Sequence, residues 1–239
     1  MEYDFFDVNK LYDLSLCENG DISFTQDNDV RGALRHMKKV IYIHGKGGNA
    51  AEADHFGKLF ADCEVLGFDY KSQSPHEARD EFPPFFTEQR NGCEKLILVA
   101  NSIGAFFSMS SLGKDVIGEN VVDEAYFISP IVDMENLICN MMTWAGVTES
   151  ELASHKEIPT NFGETLSWEY LCYVRNNPIK WNVKTHILYG EKDNLTPQSV
   201  ITGFAEKIGA SLEIMPGGEH WFHTGEQMKF LDDWLSGKK

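Results

Sequence analysis

This sequence predicts an α/β fold built on a doubly wound, mostly parallel sheet, and three features carry that prediction. Apolar runs of strand length recur along the chain. Segments with helical spacing of apolar residues separate most of them, an alternation typical of strand–helix–strand units with parallel strands. One run, residues 96–100, is apolar throughout and too short for a buried helix, which favours a strand covered on both faces.

Six short runs are predicted to be strands. The first, residues 40–43, is apolar and rich in β-branched side chains, and it leads directly into a glycine-rich loop. The fourth run is closed by Ser129-Pro130, a turn-forming pair. In order, the predicted strands are residues 40–43, 64–68, 96–100, 124–128, 186–189 and 211–215.

Helices are predicted between these strands. The first of them, residues 50–62, places Phe56, Leu59 and Phe60 on one face. The segment 71–86 is polar and carries prolines. The predicted helices are residues 50–62, a helix from 105 onward, 197–208 and 225–235, with 87–92 either helix or loop.

Two regions depart from the alternation. Residues 1–36 are polar and mixed, and Asn19-Gly20 between two strand-like pieces suggests a hairpin. Residues 131–182 contain several helix-like stretches and are predicted to be a helical insertion. Helix packing is the simplest explanation for the many aromatic and methionine side chains of this insertion. Its helix-like stretches are residues 134–144, a start near 148, and 167–174.

Charge and cysteine content exclude some partners and favour one compartment. The chain has 21 basic and 37 acidic residues, and its net charge of −16 at pH 7 would repel nucleic-acid backbones and anionic membranes. The five cysteines form no C-x-x-C pair, as is typical of reduced thiols. The N-terminus lacks signal-peptide features and no apolar run reaches transmembrane length, so we expect a cytoplasmic protein.

The segment Ala100-Asn101-Ser102-Ile103-Gly104 lies where the central strand must turn sharply into a helix. A strand, a tight turn with serine at its tip and a helix form a nucleophile elbow, which exposes the hydroxyl above the sheet. The usual pattern of this elbow is G-x-S-x-G. Here alanine, the next smallest residue, replaces the first glycine, which weakens the motif without removing it.

Polar residues that follow other predicted strands complete a candidate catalytic set. Ligands of open α/β sheets bind beyond the carboxyl ends of the strands, and Ser102, Asp193 and His220 all fall there. A serine hydroxyl needs a base, and a neutral imidazole is suited to that role at neutral pH. We therefore predict Ser102 as nucleophile, His220 as base and Asp193 as the acid that orients the imidazole. His223 is a rival base, and Asp133 is a rival acid.

The order Ser, Asp, His, with an elbow serine and an early His-Gly loop, resembles the α/β-hydrolase fold family from about residue 39 to the C-terminus. The resemblance implies a single domain, residues 1–239, in which residues 131–182 form a cap over the site. It also implies that the backbone N–H groups of Lys46 and Ile103 form the oxyanion hole. The substrate pocket is expected to include His44, Gly45, Met141, Trp144 and Trp221.

The activity implied by this resemblance is hydrolysis of a small carboxylic ester or related acyl compound through an acyl-enzyme. Amide or peptide hydrolysis, acyl transfer, and ligand binding without catalysis are the alternatives, because one fold supports many functions. The sequence lacks P-loop, dinucleotide-binding, zinc-protease and EF-hand motifs, so no cofactor and no metal are expected. A small-molecule acyl substrate is the expected partner, and no oligomeric state is predicted.

Overall fold

A six-stranded parallel sheet forms the centre of the protein. The computed structural model describes residues 38–237, so the hairpin predicted at Asn19-Gly20 lies outside the described residues. The strands are β1 (Lys38–Ile43), β2 (Cys63–Gly67), β3 (Lys95–Asn101), β4 (Glu124–Ile128), β5 (Glu157–Pro159), β6 (Thr165–Ser167), β7 (Lys184–Gly190) and β8 (Ser211–Met215). The main sheet has the order β2-β1-β3-β4-β7-β8, and every pairing in it is parallel.

Helices connect the strands and cover both faces of the sheet. The helices are α1 (Ala53–Gly57), preceded by a 3₁₀ turn at Ala50–Glu52, α2 (Pro75–Arg90), α3 (Ser102–Ser111), α4 (Lys114–Ile117), α5 (Met134–Ala145), α6 (Glu149–His155), α7 (Trp168–Asn176), α8 (Gln198–Ile208) and α9 (Gly225–Ser236). None of them, within residues 38–237, has the length and apolar character of a membrane span.

Alternating side chains of the strands fill two separate cores. In β3, Leu96 and Leu98 face the core that contains buried residues of α2, α3 and α8, whereas Ile97 and Val99 face the core that contains residues of α1 and α9. Successive side chains of a strand point to opposite faces, so a continuous apolar run is what a sheet covered on both sides requires. The predicted doubly wound fold is confirmed.

Helix α2 covers most of the polar, proline-bearing segment 71–86 and continues to Arg90. Ser74 caps its start through a capping box with Glu77, and Pro75 stands at the first helical position, where proline is well tolerated. Pro83 and Pro84 lie inside the helix, at positions that normally disfavour it. Burial decides the outcome, because Ala78, Phe82 and Phe86, four residues apart, are completely buried.

The strand order creates a crevice at the carboxyl end of the sheet. The chain runs from β1 outward to β2 and then returns to the other side of β1 to form β3. Connections on the two sides of such a switch point diverge to opposite faces, which leaves room for a ligand between the loops. The loop after β1 and the turn after β3 flank this crevice, since Ile43 and Ala100 are paired at the ends of the two strands.

Residues 131–182, which we call the cap segment, lie between β4 and β7 and contain α5, α6 and α7 as predicted. They also contain an antiparallel hairpin of β5 and β6, which was not predicted. The turn of this hairpin includes Gly163, whose φ of 87° belongs to the left-handed region that favours glycine. The cap segment is therefore helical with one short hairpin.

Candidate active site

The elbow places Ser102 at the tip of a strained turn. Strand β3 ends at Asn101 and α3 begins at Ser102, whose φ is 48°. A left-handed conformation costs a non-glycine residue about 1–2 kcal/mol, so the surrounding structure must enforce it. Gly104 shows how tightly the helix is held, because a Cβ there would lie 2.4 Å from the carbonyl oxygen of His44 and 2.8 Å from Cγ2 of Ile43. Only glycine permits this approach.

Ser102, His220 and Asp193 form one hydrogen-bonded chain. The Ser102 Oγ lies 2.8 Å from Nε2 of His220, and Nδ1 of His220 lies 2.7 Å from Oδ2 of Asp193. A carboxylate can only accept, so Nδ1 carries the proton and Nε2 is left to accept from the serine hydroxyl. The side chain of Asp193 is completely buried and that of His220 is 14% exposed. The three side chains are therefore connected in the order serine, imidazole, carboxylate, which is the connectivity that the predicted roles require.

Backbone hydrogen bonds hold the Asp193 carboxylate in place. The second carboxylate oxygen of Asp193, Oδ1, accepts from the N–H groups of Leu195 at 2.8 Å and Thr196 at 3.0 Å. The loops after β7 and β8 are joined by a hydrogen bond of 2.7 Å from the Lys192 N–H to the Gly218 carbonyl. Both oxygens of the Asp193 carboxylate thus accept hydrogen bonds. The loop that contains His220 is also hydrogen-bonded to the loop that contains Asp193.

The loop after β1 contacts the elbow. A Cβ on Gly45 would lie 3.3 Å from Cβ of Ser102, so this loop runs directly beside the serine. Tyr70 secures the loop, because its ring stacks on His44 at 4.4 Å and its hydroxyl donates to the His44 carbonyl at 2.9 Å. The Lys46 N–H makes no hydrogen bond within residues 38–237. The Ile103 N–H belongs to the first turn of α3, where N–H groups lack helical partners.

A cavity of about 600 Å³ opens above Ser102, between the carboxyl end of the sheet and the cap segment. Four of the five residues expected in the pocket, His44, Gly45, Met141 and Trp144, line it. Most of the remaining wall is apolar, which suits an apolar ligand held by a few polar groups. The apolar residues of the wall include Phe107, Ile131, Met134, Leu137, Ile138, Leu166 and Leu195.

The cavity mouth carries an ion pair and two exposed aromatic rings. The ammonium group of Lys46 pairs with the carboxylate of Glu164, which joins the loop after β1 to the β5–β6 hairpin. Trp144 and Phe162 are 52% and 41% exposed, and their rings meet edge to face at 6.2 Å. All four residues line the cavity, so the cap segment and the loop after β1 together form its rim.

The structure separates the remaining candidates from this group. Trp221, expected in the pocket, does not line the cavity: it is 71% exposed and stacks on His223 at 4.5 Å. The loop after β8 directs His220 toward Ser102 and leaves the rings of Trp221 and His223 at the protein surface. The Nδ1 atom of His223 lies 2.6 Å from the Trp221 carbonyl. Asp133 is exposed and caps α5 by accepting from the Asn136 N–H at 3.0 Å.

Sequence reasoning missed the cavity residues of two segments. Tyr70, Ser72 and Gln73 follow β2 and line the cavity, as do residues 162–167 of the hairpin. The position of Tyr70 just after a predicted strand was a usable signal, because ligands gather at strand ends. The hairpin left a fainter signal, a glycine between two short β-like pieces.

Metal ligands and disulfides play no visible part in the described site. Within residues 38–237, no group of three or more His, Cys, Asp and Glu side chains is placed to hold a metal ion. Cys63, Cys93, Cys139 and Cys172 are thiols of intermediate burial that form no disulfide in this range.

Comparison with known proteins identifies the fold. No family model matches the sequence, and no curated protein does so. Among solved structures, Est1E from Butyrivibrio proteoclasticus is similar with a TM-score of 0.65 and 14% identity, covering 85% of this chain and 87% of that chain. The monoacylglycerol lipase of Paleococcus ferrophilus is similar with a TM-score of 0.54 and 18% identity, covering 84% and 95%.

A soluble variant of monoglyceride lipase from Saccharomyces cerevisiae, in complex with a substrate analog, is similar with a TM-score of 0.57 and 12% identity, covering 84% of this chain and 87% of that chain. At such identities a likeness defines the fold, because function resides in the site. The chain has the α/β-hydrolase fold, as its sequence predicted.

Proposed function

We propose that this protein is a serine hydrolase that cleaves a small carboxylic ester or related acyl compound through an acyl-enzyme. The observation that carries the proposal is the hydrogen-bonded chain Ser102–His220–Asp193, with distances of 2.8 and 2.7 Å, whose serine lines a largely apolar cavity. The likeness to an esterase and to lipases of the same fold supports it.

The first half of the reaction transfers the acyl group to Ser102. The serine oxygen attacks the carbonyl carbon while His220 takes the hydroxyl proton on Nε2. The imidazolium that forms is stabilised by the carboxylate of Asp193. Collapse of the tetrahedral intermediate breaks the bond to the leaving alkoxide, which takes the proton from Nε2 and departs as an alcohol.

The second half returns the enzyme to its starting state. Water attacks the acyl carbon and gives a proton to His220, and the proton returns to the Ser102 oxygen as the acid is released. In both halves the oxyanion would be held by the N–H groups of Lys46 and Ile103, neither of which has a competing backbone partner. Loss of one such donor costs about 3 kcal/mol of the barrier.

The cavity supports a small-molecule substrate. Its volume of about 600 Å³ suits a small molecule rather than a polymer, and its apolar wall suits an aliphatic or aromatic acyl group. Burial of one methylene is worth about 0.8 kcal/mol, so kcat/KM should rise about fourfold for each methylene added until the cavity is full. The four cysteines of residues 38–237, which form no disulfide in that range, and the net charge of −16 support a cytoplasmic protein that binds neither nucleic acid nor anionic membranes.

The proposal is tested by hydrolysis of p-nitrophenyl esters from acetate to octanoate. Ser102→Ala and His220→Ala should each lower kcat by about 10⁴- to 10⁶-fold. His223→Ala is the matched control, since this nearby histidine lies outside the hydrogen-bonded chain, and it should retain wild-type activity. A wild type that cleaves no ester and resists a fluorophosphonate probe would refute the proposal, as would unchanged activity in Ser102→Ala.

A further inference from the structure

The hydroxyl of Tyr42 joins two parts of the candidate site. Tyr42 lies in β1 and is 1% exposed. Its hydroxyl donates to Oε2 of Glu52 at 2.6 Å and accepts from Nδ2 of Asn101 at 3.2 Å. Glu52 ends the 3₁₀ turn that follows the Lys46 loop, and Asn101 immediately precedes Ser102. One buried phenol therefore links the loop after β1 to the nucleophile elbow.

On the loop side, the Glu52 carboxylate supports the backbone that carries Lys46. Its Oε1 atom accepts from the Asn49 N–H at 3.2 Å, one half of a capping box. The carboxylate also lies against Gly48, where an added Cβ would be 2.8 Å from Oε1. The loop of residues 45–49 is rich in glycine and flexible by composition, so a fixed carboxylate beneath it restrains the Lys46 amide.

On the elbow side, Asn101 occupies the N-cap position of α3 without capping it. An asparagine at this position normally accepts a hydrogen bond from the second or third N–H of the helix. Here its side chain makes no such bond and donates to Tyr42 instead. The first N–H groups of α3, including that of Ile103, are consequently left without this intramolecular acceptor.

We propose that Tyr42 is a positioning residue for the proposed reaction. Its hydroxyl holds the Glu52 carboxylate against the loop after β1 and binds the Asn101 side chain, so that Asn101 does not cap α3. The inference rests on the proposed function. Burial first, and then the hydrogen bond to Glu52, raises the pKa of the Tyr42 phenol. The hydroxyl thus stays protonated at working pH, and its contribution should be constant across the pH profile.

The test compares Tyr42→Phe with Tyr126→Phe in the full chain. Tyr126 is a matched control because it is another buried sheet tyrosine, 2% exposed, in β4, and Glu124 of the same strand is the charged neighbour of its hydroxyl. Tyr42→Phe should lower kcat on a p-nitrophenyl ester about 10-fold and change KM less than twofold. This loss of kcat is smaller than the 10²- to 10³-fold loss that follows removal of an oxyanion donor. Tyr126→Phe should lower the free energy of unfolding in urea about as much as Tyr42→Phe does, but it should leave kcat unchanged.

Asn101→Ala provides an independent variant, since it breaks the same link from the elbow side and leaves Tyr42 unchanged. It should also lower kcat, by at most about 10-fold, and the double variant should fall little below Tyr42→Phe because that change already removes the hydrogen bond that Asn101→Ala breaks. The inference would be overturned if kcat were unchanged in both Tyr42→Phe and Asn101→Ala. It would also be overturned if kcat fell equally in Tyr126→Phe, or if the kcat losses of the two single variants multiplied fully in the double variant. A wild type without hydrolysis or fluorophosphonate labelling would instead indicate failure of the proposed function itself.

Discussion

Substitution of Asp193 by asparagine tests the proposed chemistry most sharply, because the structure fixes how the new amide must lie. In the wild type, Oδ1 accepts from two backbone N–H groups and Oδ2 faces Nδ1 of His220. An asparagine must keep its carbonyl oxygen on the backbone side, since its NH₂ group cannot accept. The NH₂ group therefore faces His220.

This orientation places the imidazole proton on the wrong nitrogen. An NH₂ group donates to Nδ1, so Nδ1 must become the acceptor and the proton moves to Nε2. An Nε2–H group cannot take the proton of Ser102, and the stabilisation of the imidazolium is lost as well. In a comparable triad this change costs about 10⁴-fold in kcat, which corresponds to about 5.4 kcal/mol of barrier.

The assay is kcat on the best p-nitrophenyl ester, with urea unfolding to confirm that the variant is folded. Asp133→Asn is the matched control, because it makes the same change at an exposed N-cap, where asparagine caps as well as aspartate. We expect Asp193→Asn to lose about 10⁴-fold and Asp133→Asn to retain activity. A folded Asp193→Asn variant with activity close to wild type would refute the tautomer argument.

Two further predictions concern charged groups. Burial raises the pKa of Glu124, but hydrogen bonds from two lysines and His186 outweigh burial and lower it to about 2 from 4.5. Its stabilising contribution is complete above pH 4.5 and is lost as the pH falls through 2. The difference in unfolding free energy between wild type and Glu124→Gln should therefore be greatest near pH 7 and should shrink as the pH falls from 4.5 to 2. A difference that stays constant over this pH range would contradict the prediction. The exposed Lys46–Glu164 pair should contribute at most about 1 kcal/mol. Glu164→Gln should change kcat/KM less than about fivefold, with a smaller effect in high salt, and a 100-fold loss would contradict this.

The polar residues at the strand ends could be found from sequence because the signals are local. A run such as residues 96–100 must be buried on both sides, and the residue after it must lie at the sheet edge. That reasoning selected Ser102, Asp193 and His220, which the structure brings within hydrogen-bonding distance. Their catalytic roles and that of the Lys46 and Ile103 amides stay predictions until activity is measured.

The sequence by itself determined the alternation of strands and helices, since hydrophobic periodicity and turn chemistry act over a few residues. Tertiary contacts decided the rest. Burial of Phe82 and Phe86 stabilises a helix in a segment whose internal prolines disfavour one. The link from Asn101 through Tyr42 joins residues 59 positions apart, and local pattern does not reveal such a contact. Side-chain direction in a loop depends on which distant segments pack against it, and this separates His220, which faces Ser102, from the adjacent Trp221, which faces outward.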